Sequence, residues 1–196
     1  TPSPTPVPTL DPNDPGISIV VQPVRFPDEL QARAIRSTLG KSSDEDVFTN
    51  ELLRISELYF IGNMYRQSDV GVACGDDGRY LVNGVAVAEG SVTDLSQISD
   101  MLALTRLSLI EQPLRSLAPL DALTYLTELS VAGCPVDTLP ALSGMLSLNT
   151  LHLEHTAIRD MTPLSVCPAL RSVTVSADMF PLTLDPQAGY DVVLAH

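Results

Sequence analysis

The chain has 196 residues, with 24 acidic against 11 basic side chains, 16 prolines, three cysteines and no tryptophan. That length suits one domain with an appendage, and 44% hydrophobic with 18% charged residues is ordinary material for a core. No apolar run approaches the twenty or so residues of a membrane helix, a net charge of −13 argues against a nucleic-acid footprint or adsorption to an anionic membrane, and an odd, small number of thiols is no disulfide scaffold.

Six prolines fall within the first 15 residues, so backbone donors are missing at nearly every second position there. Residues 1–16 read as a Thr/Pro-rich linker in extended polyproline II form, a stalk that holds a domain away from an anchor. The chain begins with Thr, so a processed form is expected, with an export or lipidation signal upstream. The segment Asp11–Gly16 is rich in oxygen ligands, but two prolines interrupt it and the distal bidentate Glu of a calcium loop is missing.

Residues 17–57 read as an N-terminal cap. Asp28 is a helix N-cap, Glu29 suits the positive helix end, Leu30, Ala34, Ile35 and Leu39 make an apolar stripe, and Gly40 stops the helix. Residues 58–182 then carry a 22-residue period. It links Leu104, Leu126, Leu148 and Leu170, then Val85, Leu107, Leu129, Leu151 and Val173, then Val87, Leu109, Val131, Leu153 and Val175. It continues through Val92, Leu114, Val136, Ile158 and Phe180, and through the columns that start at Leu95 and Ile98. From Leu58 to Val85 is 27 residues, five more than the period, which predicts an insertion at 64–81. The Gly/Asp-rich stretch Gly71–Gly78 within it predicts a turn or hairpin bulging from the body. Residues 183–196 read as a closing segment, with Tyr190–Leu194 alternating well enough for a last strand.

Each copy joins a period-2 strand signal to apolar residues at every third position, which means one strand and a tight or 3-10 return. A single unit cannot bury its own apolar edge, so the copies stack. The pattern resembles the leucine-rich repeat, which implies an α/β fold: a right-handed leucine-rich-repeat solenoid with a parallel concave β-sheet, a 3-10 or irregular convex side and a helical N-terminal cap. The turn after each strand holds Asn63, Gly90, Gln112, Cys134, Thr156 and Asp178; an Asn side chain there is expected to satisfy backbone groups, and Thr, Asp or Cys to do so in part. Cys134 and Cys167 thereby have packing roles, whereas Cys74 has none and sits in the Gly/Asp-rich loop.

With the leucines inward, the alternate residues face outward on the concave side. Their columns run Gly84, Arg106, Glu128, Thr150, Ser172; then Ala86, Ser108, Ser130, His152, Thr174; then Ala88, Ile110, Ala132, Glu154, Ser176. From these, Arg106, Ser108, Ile110, Glu128, Ser130, Thr150, His152, Glu154 and Thr174 are the candidate partner-binding residues. The face is small and polar, with no basic stripe and no aromatic platform, which again argues against nucleic acid. His152 and Glu154 share a face as two metal-type ligands, but His155 points elsewhere on a strand and no third ligand is identifiable, so no metal or other cofactor is assigned. There is no Gly-rich phosphate loop, no G-x-S-x-G elbow and no Cys–His arrangement in a recognisable context, so the chain is not read as an enzyme.

The repeat resembles the 22-residue leucine-rich repeats of bacterial internalins and similar surface proteins. The cap adds to the likeness, since Phe26-Pro27-Asp28, an amphipathic helix and Leu39-Gly40-Lys41 precede the repeats in the same order, followed by Val47 to Asn63 with Leu58, Phe60 and Asn63 as the first repeat. The resemblance implies a monomeric, non-catalytic recognition domain of a secreted or surface-anchored bacterial protein, which binds a protein or glycan through its concave sheet. It departs from the family in the absence of aromatics from these concave columns. The alternative is an intracellular regulatory scaffold of the phosphatase-regulator-like repeat class.

Overall fold

The computed structural model describes residues 21–140, 142–185 and 189–195. The linker expected at 1–16, with its oxygen-rich end, lies outside the described residues, as does His196. The cap helix α1 (Glu29–Leu39) starts at Asp28, whose carboxylate accepts a hydrogen bond from the backbone N–H of Gln31 at 2.9 Å, and stops at Gly40 in the left-handed region with φ 72°. Leu30, Ala34 and Ile35 are buried in the main core and Leu39 packs against it. Gln31 fastens the helix to the repeats: its side-chain amide donates to Asp28 at 2.8 Å and to the carbonyl of Asp94 at 2.7 Å. A short second helix, α2 (Thr49–Leu52), follows, with Glu51 accepting from the backbone N–H of Phe48 and from Lys41.

Among the described residues ten strands succeed it: β1 (Glu57–Ile61), β2 (Met64–Arg66), β3 (Val72–Cys74), β4 (Tyr80–Val82), β5 (Val85–Ala86), β6 (Arg106–Ile110), β7 (Glu128–Ala132), β8 (Thr150–Glu154), β9 (Ser172–Val175) and β10 (Asp191–Leu194). Seven form one sheet in the order β10-β9-β8-β7-β6-β1-β2, parallel except for the β1–β2 hairpin. The register stacks Leu58, Leu107, Leu129, Leu151, Val173 and Val192 side by side. Behind them the returns place Leu114, Leu117, Leu120, Leu123 and Leu126 in the same core, and 3-10 turns at Ile98–Asp100, Ala118–Ala122 and Thr162–Val166 match the every-third-residue pattern.

The structure differs from the sequence expectation in the first repeat. β1 lies beside β6, not beside a strand at Val85, and Leu58 to Leu107 is 49 residues, one period of 22 plus 27. A single repeat therefore runs from Ile55 to Leu104 with a 27-residue excursion between Asn63 and Gly90. The cause is local turn chemistry. Asn83 and Gly84 both have positive φ and close a two-residue hairpin, which pairs β5 antiparallel to β4 instead of releasing Val85 and Val87 to the solenoid. Gly84, Ala86 and Ala88 accordingly leave the concave columns, and Val85 is exposed.

Two turn positions shift as well. Asn63 is exposed in the β1–β2 turn beside Gly62, which has φ 55° and where a Cβ would collide with the carbonyl of Ala88. The buried column starts instead at Gly90, because the Gln112 side chain fills the space a Cβ would take there. Gln112 accepts from the N–H of Val92 at 3.2 Å and donates to the carbonyls of Gly62 and Ile110, and the thiol of Cys134 donates to those of Leu109 and Ala132. At the far end the 3-10 turn Ala177–Met179 turns Met179 inward, so Phe180 is half exposed and Asp178 lies at the surface.

Candidate functional site

The concave face is built by the outward residues of β1 and β6 to β9. In the first column Arg106 lies between Glu57 and Glu128, with its Nε 3.4 Å from the Glu128 carboxylate. Tyr59, whose hydroxyl donates to Glu57 at 2.8 Å, heads the second column next to Ser108. Burial pushes the Tyr59 phenol up to about 12. Sequence columns extrapolated to Gly84 missed this aromatic, although Tyr59 stands one residue after Leu58, where the repeat pattern puts an outward side chain. Ser130, Thr150, His152 and Thr174 are half-buried on the same face and Ser108 is buried.

The third column is not open. The inserted sheet β3-β4-β5 folds back over it, so that Tyr80 packs with Ile61, Ile110 and Ala132 in a small core of their own. Ile110, expected to meet a partner, is 5% exposed beneath this roof. The Tyr80 hydroxyl reaches Glu154 at 3.4 Å, and burial together with that carboxylate drives its pKa up. Between roof and floor lies a cleft of about 260 Å³ lined by Asp69, Cys74, Tyr80, Ser130, His152 and Glu154 among others. Four of the nine sequence candidates, Ile110, Ser130, His152 and Glu154, thus meet in one cleft, whereas Arg106, Glu128, Thr150 and Thr174 lie on the open sheet.

At the rim of the cleft Cys74 Sγ lies 3.3 Å from His155 Nε2, and His155 Nδ1 lies 3.2 Å from Asp178 Oδ1. His155 holds φ 50°, the same left-handed turn that Gly62 and Gly133 make after their strands. Burial and the carboxylates of Glu154, Asp77, Glu111 and Asp178 push the Cys74 thiol above its ordinary value. Burial likewise raises Glu111, whereas at Asp178 the opposing hydrogen bond from Ser176 and the nearness of His155 win over burial and hold the carboxyl low. Sequence distance hid this contact, since Cys74 and His155 are 81 residues apart. Among the described residues no three His, Cys, Asp or Glu side chains converge as a metal site.

A stacked parallel sheet, 3-10 returns and a helical cap define a leucine-rich-repeat solenoid, here with a small sheet inserted in its first repeat. Solved structures similar to it include internalin C2 of Listeria monocytogenes, 19% identical over 87% of this chain and 94% of that one, with a TM-score of 0.46. Internalin F of the same organism is 22% identical over 86% of this chain and 57% of that one, with a TM-score of 0.41. The functional domain of Listeria monocytogenes InlJ is 13% identical over 85% and 47%, with a TM-score of 0.30. No protein-family model and no curated protein matches the chain.

Proposed function

We propose that this chain is a non-catalytic recognition domain of a secreted or surface-anchored bacterial protein, which binds a protein or glycan through the concave sheet and the roofed cleft beside it. The observation that carries the reading is the contrast between the two sides of each strand. Inward residues such as Leu107, Leu129 and Leu151 are fully buried, while Arg106, Glu128, Thr150 and His152 stand on a rigid sheet with polar atoms directed outward. A surface already ordered by its own core loses little entropy on binding. The Thr/Pro-rich linker supports display away from an anchor, and among the described residues no helix is long and apolar enough to cross a membrane.

The test compares the wild-type chain with a variant carrying Arg106→Ala, Glu128→Ala, Thr150→Ala and His152→Ala. Capture from the native extracellular environment, followed by titration of the purified partner, should show binding by the wild type and a loss of at least about tenfold in the variant, or about 1.4 kcal/mol. Equal affinity of the two chains refutes concave-face binding. Fractionation of the native cells tests the location, and recovery in the soluble cytoplasm favours the intracellular scaffold.

A further inference from the structure

Cys74, His155 and Asp178 come from the end of β3, the turn after β8 and the 3-10 turn after β9, yet they meet in one line. The Asp178 carboxylate can only accept at His155 Nδ1, so in the neutral imidazole the Nε2 lone pair faces the Cys74 thiol. The Tyr80 ring stands edge-on to the imidazole, centroids 6.0 Å apart at 77°, and limits its rotation. The thiol has a second acceptor, the carbonyl of Gly75 at 3.5 Å, a longer contact than the 3.3 Å to nitrogen. Nucleophile, base and a group that orients the base are the parts of an activated thiol. Cys74 also borders the 260 Å³ cleft, so a small molecule that enters meets the sulfur.

We propose that Cys74 is a base-assisted nucleophile that forms a mixed disulfide with a small cationic or neutral disulfide entering the cleft. As Sγ attacks one sulfur of the ligand R–S–S–R, His155 takes the thiol proton. The bond between Sγ and that sulfur forms while the ligand's own S–S bond breaks, and the departing thiolate takes the proton from His155 and leaves as R–SH. One disulfide is consumed and one is made, so no separate oxidant or reductant enters. Asp69 and Glu154 line the cleft with Cys74, and the charges of Asp77, Glu111 and Asp178 also act on the thiol, so an ammonium group on the ligand is attracted and a carboxylate is repelled. The same environment keeps the free thiol protonated, which is why its proton has to pass to the neighbouring imidazole. The step is stoichiometric capture, distinct from partner binding on the open sheet.

Cys134 and Cys167 are buried, so modification of the native chain reads Cys74, with Cys74→Ser as the blank. The experiment follows adduct formation by intact mass at neutral pH with cystamine, which is cationic, and with dithiodipropionate, which is anionic. A single adduct is expected, formed at least about tenfold faster from cystamine, and slowed about 10²-fold by His155→Ala, the low end of what a positioned base contributes. Added imidazole should restore part of the His155→Ala loss, which it would not do if the substitution had merely displaced the inserted strands. Equal rates for wild type and His155→Ala, a loss that imidazole leaves untouched, or an anionic reagent as fast as the cationic one overturns the proposal.

Discussion

Replacing Tyr80 with Ala should open the inserted sheet while leaving the solenoid folded. Tyr80 is 4% exposed and touches Ile61, Ile110 and Ala132, a patch separate from the main core. An aromatic ring buried to this degree removes about 150–200 Å² from water, worth about 4 kcal/mol at ~25 cal/mol per Å². Residual burial in the unfolded chain lowers this to about 3 kcal/mol. The hydroxyl adds little through its long contact with Glu154, so Tyr80→Phe should lose less than about 1 kcal/mol. A loss of about 3 kcal/mol makes local opening about 10²-fold more frequent. Native-state hydrogen exchange reads this directly through the amides of Gly75, Asn83 and Val87, which donate to Arg79, Gly71 and Tyr80 within 3.0 Å. They should exchange about 10²-fold faster in Tyr80→Ala, while the amides of β7 and β8 keep their protection. Unchanged exchange in β3 and β4, or equal loss across β7 and β8, refutes the view that the insert is a separately fastened lid.

Gln112→Leu keeps the volume but removes the side-chain oxygen that accepts from the buried N–H of Val92, and with it two bonds to the carbonyls of Gly62 and Ile110. The expected destabilisation is about 1–3 kcal/mol in urea unfolding, and an unchanged midpoint at constant slope contradicts the role assigned to this side chain. In the cap, the hydrogen bond and charge of Lys41 hold the Glu51 carboxyl below its ordinary 4.5. The native state then binds that proton less tightly than the unfolded chain does, so the stabilisation is complete above pH 4.5 and disappears as pH falls through the lowered folded value. Lys41→Met should therefore lower stability at pH 7 and have little effect near pH 2, as measured by urea titration at both. A penalty of the same size at both pH values rules out this linkage.

The repeat was legible because its signal is redundant. Leu107, Leu129, Leu151 and Val173 each specify the same inward position, and the helix stripe from Leu30 to Leu39 is bracketed by Asp28 and Gly40, so errors at one residue do not propagate. The insertion was legible in its composition but not in its extent. Val85 and Val87 fall on the 22-residue grid by coincidence of spacing, and the Asn83-Gly84 turn that takes them out of it carries its information in two residues. Phe180 shows the same weakness at the other end, where the 3-10 turn Ala177–Met179 buries Met179 in its place. The contact of Cys74 with His155 was beyond reach for a different reason. It depends on where the insert lands, and nothing periodic encodes a fold-back onto the third column, where Tyr80 anchors the insert.

The fold-back also changes what the concave side can offer. The open columns are short polar side chains, and Arg106 already bridges toward Glu128, so a partner that touches the sheet alone gains mainly exposed polar contacts of modest value. Exposed apolar side chains stand elsewhere and scattered, Val70 and Val85 of the insert at 73% and 69%, Leu146 at 56% and Phe180 at 50% among them. Burying one such valine contributes about 1.5–3 kcal/mol, more than an exposed ion pair. The cleft between the insert and the sheet instead joins Val72 and Ala73 of the insert to His152 and Glu154. A partner that entered this cleft would meet apolar and polar groups together, which the flat sheet alone does not offer.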